Sequence, residues 1–265
     1  MAKDLTTGKI TPQLINFTIP LVLGNIFQLT YNAVDSIIVG NFVGKGALAA
    51  VGICNPITTL FILLLNGLCL GASILMGNQY GAKDYDRLHR QISTTMISGT
   101  VFSLVLSLIC IIFARPLLSL MQVDPQIMDM TVSYLRIIFA GLLFTYMYNC
   151  FASTLRALGD SKSPLLFLIT SSIVNIIGDL FFVIVLNMGS EGCAISTVLS
   201  EAISCVLCII YIQKKVPVLQ LGRKWLVFDK SLLKKTVSYG WASAMQQATV
   251  QLGKLGIQAI VNTMG

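Results

Sequence analysis

Asp35 and Asp179 are carboxylates set inside otherwise apolar stretches, and Asn175 stands one helical turn before Asp179. A carboxylate in hydrocarbon costs about 3 kcal/mol or more on insertion scales, so such a residue normally faces a protein-lined cavity and marks the path of an ion, a proton or a substrate. Carboxylate oxygens, an amide carbonyl and a hydroxyl are hard ligands that can replace the water around a sodium ion. Two carboxylates close together in a low dielectric can instead hold one proton between them. These residue types serve either ion.

The elements that must carry these residues follow from composition. The 265 residues are 55% hydrophobic and only 11% charged, with a mean hydropathy of +0.81, where a soluble domain carries about 25% charged residues. The fold class expected is an all-α polytopic membrane protein. Apolar spans of roughly 20 residues or more read at 13–40, 47–75, 91–113, 132–155, 163–187, 191–212 and 236–262. Asp35 is in the first span, Asp179 in the fifth, and Thr197 near the start of the sixth.

The net charge of +7 would suit a nucleic-acid binder, but its distribution along the chain argues for topology instead. Most of the 18 Lys and Arg fall before the first span (Lys3, Lys9) and after the second (Lys83, Arg87, Arg90), fourth (Arg156, Lys162) and sixth (Lys214 to Lys235). Lys45, Arg115 and Arg136 are left for the opposite ends. The positive-inside rule then puts the N-terminus in the cytoplasm of a plasma-membrane or bacterial inner-membrane protein. In that orientation Asp35, Asp179 and Thr197 each lie about five to seven residues from the outer end, about 8–11 Å deep at 1.5 Å per residue. They share one layer. Asn175 and Asp179 lie on one helix face, and Gln28, Tyr31, Asn32 and Asp35 form a polar stripe on the first helix.

No cleavable signal peptide is expected, because Met1 to Gln13 is polar and the first apolar stretch is too long for one. All seven cysteines sit in hydrophobic segments, which suggests neither a disulfide framework nor a zinc site. The single histidine, His89, reads as solvated in a charged inner loop. Of the connections, 41–46 is a tight outer turn, and Arg156 to Pro164 is a helix–turn–helix with Gly159 as the stop, Ser163 as N-cap and Pro164 at the first helical position. Arg223 to Ser238 mixes apolar residues with lysines and is expected to lie along the inner membrane face. A faint repeat relates 18–44, ending Asn-Phe-Val-Gly, to 238–265, ending Asn-Thr-Met-Gly. Repeated lobes are a common build of secondary transporters. The expected organisation is a six-helix N-terminal lobe over 1–212, a cytoplasmic amphipathic linker over 213–235, and over 236–265 the first helix of a second lobe that continues in a longer protein.

Several of these segments carry a resemblance. Ile19-Pro20, Val34-Asp35-Ser-Ile-Ile-Val-Gly40, Ala47-Leu-Ala-Ala-Val-Gly52, the Gly81-Ala-Lys-Asp loop, Arg156-Ala-Leu-Gly-Asp-Ser-Lys-Ser-Pro164 and Asn175-Ile-Ile-Gly-Asp179 resemble the multidrug and toxic compound extrusion (MATE) transporters, in particular their DinF-like or MepA-like bacterial branch. The resemblance implies twelve helices in two six-helix lobes around a central cleft, this chain supplying the N-lobe and the first C-lobe helix. It implies export of cationic or amphipathic small molecules in exchange for protons or sodium ions, with no other cofactor, no enzymatic activity and no nucleic-acid partner. The lipid bilayer and the rest of the two-lobed chain are the other partners implied. Carried over residue by residue, Asp35, Asn175, Asp179 and Thr197 are the expected coupling site, and Gln28, Tyr31, Asn149 and Ser172 the expected substrate cleft. The seventh span has Gln246, Gln247, Gln251 and Lys254 in place of the glutamate found there in the NorM-like branch.

Other readings stay beside this one. Asp35 can simply pair with Lys45 near the outer interface. Glu201 can hydrogen-bond structurally or join the cavity, Lys254 can snorkel, pair across lobes or meet substrate, and Gly67 and Gly71 are helix-packing positions. A lipid or polysaccharide flippase of the same superfamily would be expected to carry more basic residues inside the lobe. An intramembrane aspartyl protease would be expected to show Tyr-Asp and Gly-x-Gly-Asp, where this chain has Val34-Asp35 and Ile177-Gly178-Asp179. The orientation has its own test: a cysteine placed at Lys83 is expected to react with impermeant reagent only from the cytoplasmic side, and one at Asp124 only from outside. The reverse labelling overturns it.

Overall fold

The computed structural model describes residues 9–219, 226–242, 245, 246 and 249. Among them there is no strand. The chain forms α1 (Ile10–Ile38), α2 (Lys45–Gly81), α3 (Tyr85–Leu120), α4 (Pro125–Ala140), α5 (Leu142–Ala157), α6 (Lys162–Asp179), α7 (Gly189–Lys215) and the start of α8 (230–242). Two helices end in wide π turns, α1 through Val39–Val43 and α6 through Leu180–Val185. Gly44 closes the first with φ 114°, a conformation open to glycine and strained for other residues.

Among the described residues, five helices are long and apolar enough to cross a membrane, and α4 with α5, bent by 42° at Gly141, makes a sixth crossing if the pair is one span. The fourth span is therefore broken where a continuous helix was expected. At the break, a Cβ on Gly141 would run into the Val198 side chain of α7, so the chain bends where α7 presses against it. Hydropathy is the same on both sides of such a bend and cannot report it.

The helix starts are set by acids. Asp84 accepts from Arg87 N at 3.1 Å, and Asp124 accepts from Gln126 N at 2.8 Å with Pro125 in the first position of α4. At α6 the expected cap, Ser163, is itself a donor: its N and Oγ both donate to Asp160, at 3.0 and 2.7 Å. The carboxylate has acceptor capacity that a hydroxyl lacks, and it takes a further bond from Tyr211 OH at 2.9 Å. Gly159 does stop α5, with φ 84°. His89 is a correction as well, since it lies half-buried on α3 rather than solvated in a loop.

Apolar burial holds the bundle around α2. One cluster gathers Leu65, Leu118, Leu135, Phe139 and Tyr146, and a second gathers Leu88, Leu155, Leu158 and Cys208. All seven cysteines are free and buried. Where lipid tails are as apolar as the side chains, close backbone approach and hydroxyl bonds decide which helices meet. α6 and α7 show both. Ser196 Oγ donates to Asn175 O (2.7 Å), Ser171 Oγ to Ser200 O (3.1 Å) and Ser204 Oγ to Phe167 O (3.5 Å), a ladder with one rung per turn. α8 docks on α2 through glycine, Gly240 approaching Gly67 and Gly71 so closely that an added Cβ would strike backbone. Gln91 Nε2 of α3 donates to Thr236 Oγ1 at 2.7 Å.

Within the expected linker, α7 continues to Lys215 and a 3-10 turn follows at Pro217–Leu219. Residues 226–229 are bound to α3, Val227 N donating to Ser93 Oγ and Asp229 N to Thr94 Oγ1, each at 3.1 Å. The remaining linker residues 220–225 lie outside the described residues, as do Gln247, Gln251, Lys254 and the second copy of the repeat beyond residue 249.

Gly99 of α3 generates a stability prediction. A Cβ there would overlap the Tyr146 ring, which is fully buried and donates from its OH to Thr95 O at 2.6 Å. Overpacking of this kind costs about 1–3 kcal/mol. Gly99→Ala is expected to lower the unfolding temperature of the purified protein by several degrees, while Gly52→Ala, whose Cβ meets nothing within 4 Å, leaves it unchanged. Equal thermal stability of the two variants would contradict the packing described.

Candidate functional site

Three helices deliver the site. Asp35 stands on α1 one turn before the π segment, Asp179 is the last α-helical residue of α6 before its own π segment, and Thr197 lies two turns into α7. π turns recur beside functional residues, where the extra residue in the turn re-aims the side chains around it. Gly178 lets α7 come close, since a Cβ there would sit 2.5 Å from Ser196 Oγ. Asn175 Nδ2 lies 3.4 Å from both Ser196 Oγ and Thr197 Oγ1, and Thr197 Oγ1 donates to Cys193 O at 3.0 Å.

The carboxyls of Asp35 and Asp179 lie within hydrogen-bond reach of one another, with Cys193 and Ser196 beside Asp179. If both are ionised, neither can donate to the other. Asp179 is 0% and Asn175 1% exposed. Asp35 Oδ1, both oxygens of Asp179 and Asn175 Oδ1 have no hydrogen-bond partner of ordinary geometry among the described residues, the nearby Ser196 hydroxyl being committed to Asn175 O. Buried acceptors are nearly always bonded, and each exception calls for an explanation. Four unsatisfied oxygens on three side chains, two of them carboxylates, form a site ready for a positive charge. Asp35 makes no ion pair with Lys45.

Asp35 and Thr197 line a cavity of about 600 Å³ together with Gln28, Tyr31 and Glu201, while Asn175 and Asp179 are buried behind that wall. A smaller cavity of about 340 Å³ runs along α1 past Pro20 and Gly24 and is lined by Asn149 and Arg156. Gln28 borders both cavities. Of the four residues carried over to the substrate cleft, Gln28 and Tyr31 line the larger cavity and Asn149 the smaller. Ser172 lines neither: it is buried and returns its hydroxyl to Leu168 O at 2.8 Å, a bond within its own helix. Arg156, expected in the inner loop, belongs to the last turn of α5 and lines the smaller cavity.

The sequence reading missed a second polar wall. Asn55, Thr58 and Asn66 of α2, Tyr134 of α4 and Thr145 of α5 also face the larger cavity. For the three residues of α2 the signal was their spacing, since 55, 58 and 66 fall on one helix face. Glu201, left between structural and cavity roles, lines the cavity and accepts a hydrogen bond from Thr145 Oγ1. Among the described residues, no Lys, Arg or His lines this cavity.

Comparison with known proteins gives concordant results. The MatE family profile matches residues 20–181. The chain is 32% identical over 258 residues to a probable multidrug resistance protein, YoeA, of Bacillus subtilis (strain 168), covering 94% of this chain and 55% of that one. It is 22% identical over 258 residues to the multidrug export protein MepA of Staphylococcus haemolyticus (strain JCSC1435), covering 97% and 57%. The chain thus spans about half the length of the curated relatives it matches. Its fold superposes with a TM-score of 0.89, at 23% identity, on a crystal structure of a MATE protein in the bent conformation, covering 97% of this chain and 58% of that one.

The proximity of the two carboxylates can be tested directly. Asp35→Cys combined with Asp179→Cys, in a variant whose seven native cysteines are replaced, is expected to be bridged by a short bifunctional thiol reagent. Bridging detected by proteolysis between α1 and α6 supports the pairing, and its absence when both single cysteines react contradicts it.

Proposed function

The chain belongs to the MatE family, and from that premise we propose that it forms part of a secondary active antiporter that exports cationic or amphipathic compounds in exchange for protons or sodium ions. The observation that carries the proposal is the Asp35–Asp179 pair, Asp35 in the wall of the cavity and Asp179 buried behind it, with three of their oxygens unpartnered and no cationic side chain lining the cavity among the described residues. An ion-coupled carrier needs a site whose charge changes with occupancy, and it needs that change to bias one conformation over another.

The chain's own groups supply both. Two carboxylates can share one proton, or their oxygens can join Asn175 Oδ1 and the Thr197 hydroxyl around a sodium ion. With the site empty of cation, the two like charges repel across the α1–α6 contact. Occupation removes that repulsion and favours closure of α1 on α6. α1 is built to move, because Pro20 stands inside it and a proline in a helix interior removes one backbone bond and clashes with the preceding turn. The weak point lies 15 positions from Asp35, about 22 Å along the helix. Closure narrows the cavity beside Tyr31 and Gln28, so cation entry and substrate retention compete.

The basic helix ends carry the proposed orientation: Lys83, Arg156, Lys162 and Lys215 lie on the cytoplasmic side, the π turns and the coupling site nearer the outer side. The division into an N-lobe over 1–212, a linker over 213–235 and a second-lobe helix from 236 is proposed with it. That no cationic group is among the described residues lining the larger cavity supports an organic cation over a phosphate-bearing lipid as cargo.

Asp35→Asn and Asp179→Asn, each in the complete transporter, are expected to reduce efflux to the background of non-expressing cells while membrane expression is retained. Wild-type drug resistance from both variants would contradict the site. In the reconstituted protein, external protons or sodium are expected to accelerate release of bound substrate. A response to sodium at fixed pH identifies sodium as the coupling ion, a response to pH alone identifies the proton, and a response to neither ends the antiport reading.

A further inference from the structure

Glu201 is a membrane-embedded carboxylate that the ion cluster does not use. It stands one turn beyond Thr197 on the same face of α7, about 6 Å further along the helix. On α1, Tyr31 and Gln28 lie one and two turns back from Asp35 in the same direction, and all of these residues line the 600 Å³ cavity. Among the described residues, the one hydrogen bond to the Glu201 carboxylate comes from Thr145 Oγ1. No Lys, Arg or His among the described lining residues offers it a counter-charge.

The two acidic positions of the cavity differ in what they can hold. Around Asp35, further oxygens converge from Asp179, Asn175 and Thr197, which suits a small ion. Glu201 is one carboxylate in a lining that mixes hydroxyls and amides, Thr145 and Asn66 among them, with rings and aliphatic chains such as Tyr31, Phe139, Ile62 and Leu142. Apart from Asp35, such a lining holds no other carboxylate among the described residues. It can cover the apolar body of an organic cation, with aromatic faces adding attraction for the charge. The cavity volume lies in the range of about 300–1,000 Å³ typical of sites for drug-sized ligands.

We propose that Glu201 is the charge-selecting anchor of the substrate site, taking the head of an organic monocation while the Asp35–Asp179 pair, one to two turns away, takes the coupling ion. This inference rests on the transport reading above and adds the residue that decides which substrates enter. It also separates the two cargoes: substrate and ion meet different carboxylates in one cavity and influence each other through space.

The test is equilibrium binding to the complete purified transporter in nanodiscs, using tetraphenylphosphonium and its neutral relative triphenylphosphine oxide. Wild-type protein is expected to prefer the cation. Glu201→Gln is expected to weaken tetraphenylphosphonium by about tenfold or more and to leave triphenylphosphine oxide unchanged, with Glu201→Asp restoring much of the preference. Asp35→Asn is expected to keep the preference while losing ion-driven efflux, which separates the anchor from the coupling site. Unchanged tetraphenylphosphonium affinity in Glu201→Gln, or equal loss of both ligands, overturns the anchor without touching the antiport reading. Normal efflux from Asp35→Asn and Asp179→Asn, beside a lost preference in Glu201→Gln, overturns the antiport reading and leaves the anchor standing.

Discussion

A hydroxyl ladder between α6 and α7 determines where this protein keeps its buried charge. Ser196, Ser171 and Ser204 each donate across the interface to a backbone carbonyl, at positions one turn apart. In hydrocarbon, helices have little hydrophobic reason to choose one register over another, so hydrogen bonds and small residues choose it. The register they choose sets Thr197 beside Asn175 and closes α7 over Gly178. Asp179 is then sealed, with neither oxygen in a hydrogen bond of ordinary geometry among the described residues. A slip of one turn would break all three rungs and return the carboxylate to other neighbours.

Against this fixed pair, α1 is the loose partner. It packs mainly on α6 and keeps a long flank of exposed apolar residues, including Ile15, Ile19, Leu23 and Ile26. Lipid or another helical surface can cover such a flank without specific bonds. Two carboxylates that meet across a rigid and a movable element make a charge-dependent joint. In the proposed mechanism, ionised together they push α1 away, and with a cation between them they hold it. Placing the second cavity along Pro20 and Gly24 gives the moving half of α1 room that a fully packed interface would deny it.

How much of this was legible in the sequence depends on how rare each signal is. Charges inside apolar spans are few, so Asp35 and Asp179 stood out, and counting residues from the helix ends was enough to put Thr197 at their depth. The spans themselves follow from hydropathy over long windows. Neither device sees geometry within a span. The bend at Gly141 arises from the Val198 side chain on another helix, and the π turns after Asp35 and Asp179 depend on tertiary packing. Asp160 took over the cap expected of Ser163 because Tyr211, 51 positions away, shares the same carboxylate. The α2 wall escaped notice for a different reason: Thr58 bonds to carbonyls of its own helix, as polar residues in membranes commonly do, and an uncharged stripe among apolar residues resembles packing. Ser172 shows the converse, a residue matched by position whose hydroxyl is turned into its own helix.

The central claim is that the four unpartnered oxygens of Asp35, Asp179 and Asn175 exist to receive a cation. The most direct measurement is equilibrium binding of radiolabelled sodium to the purified transporter at neutral pH, with proton release recorded in the same titration. The expected result is a single saturable cation site, seen either as sodium bound or as a proton displaced, that disappears when Asp35 and Asp179 are both replaced by Asn. Cation binding that persists unchanged in that double variant would contradict the claim.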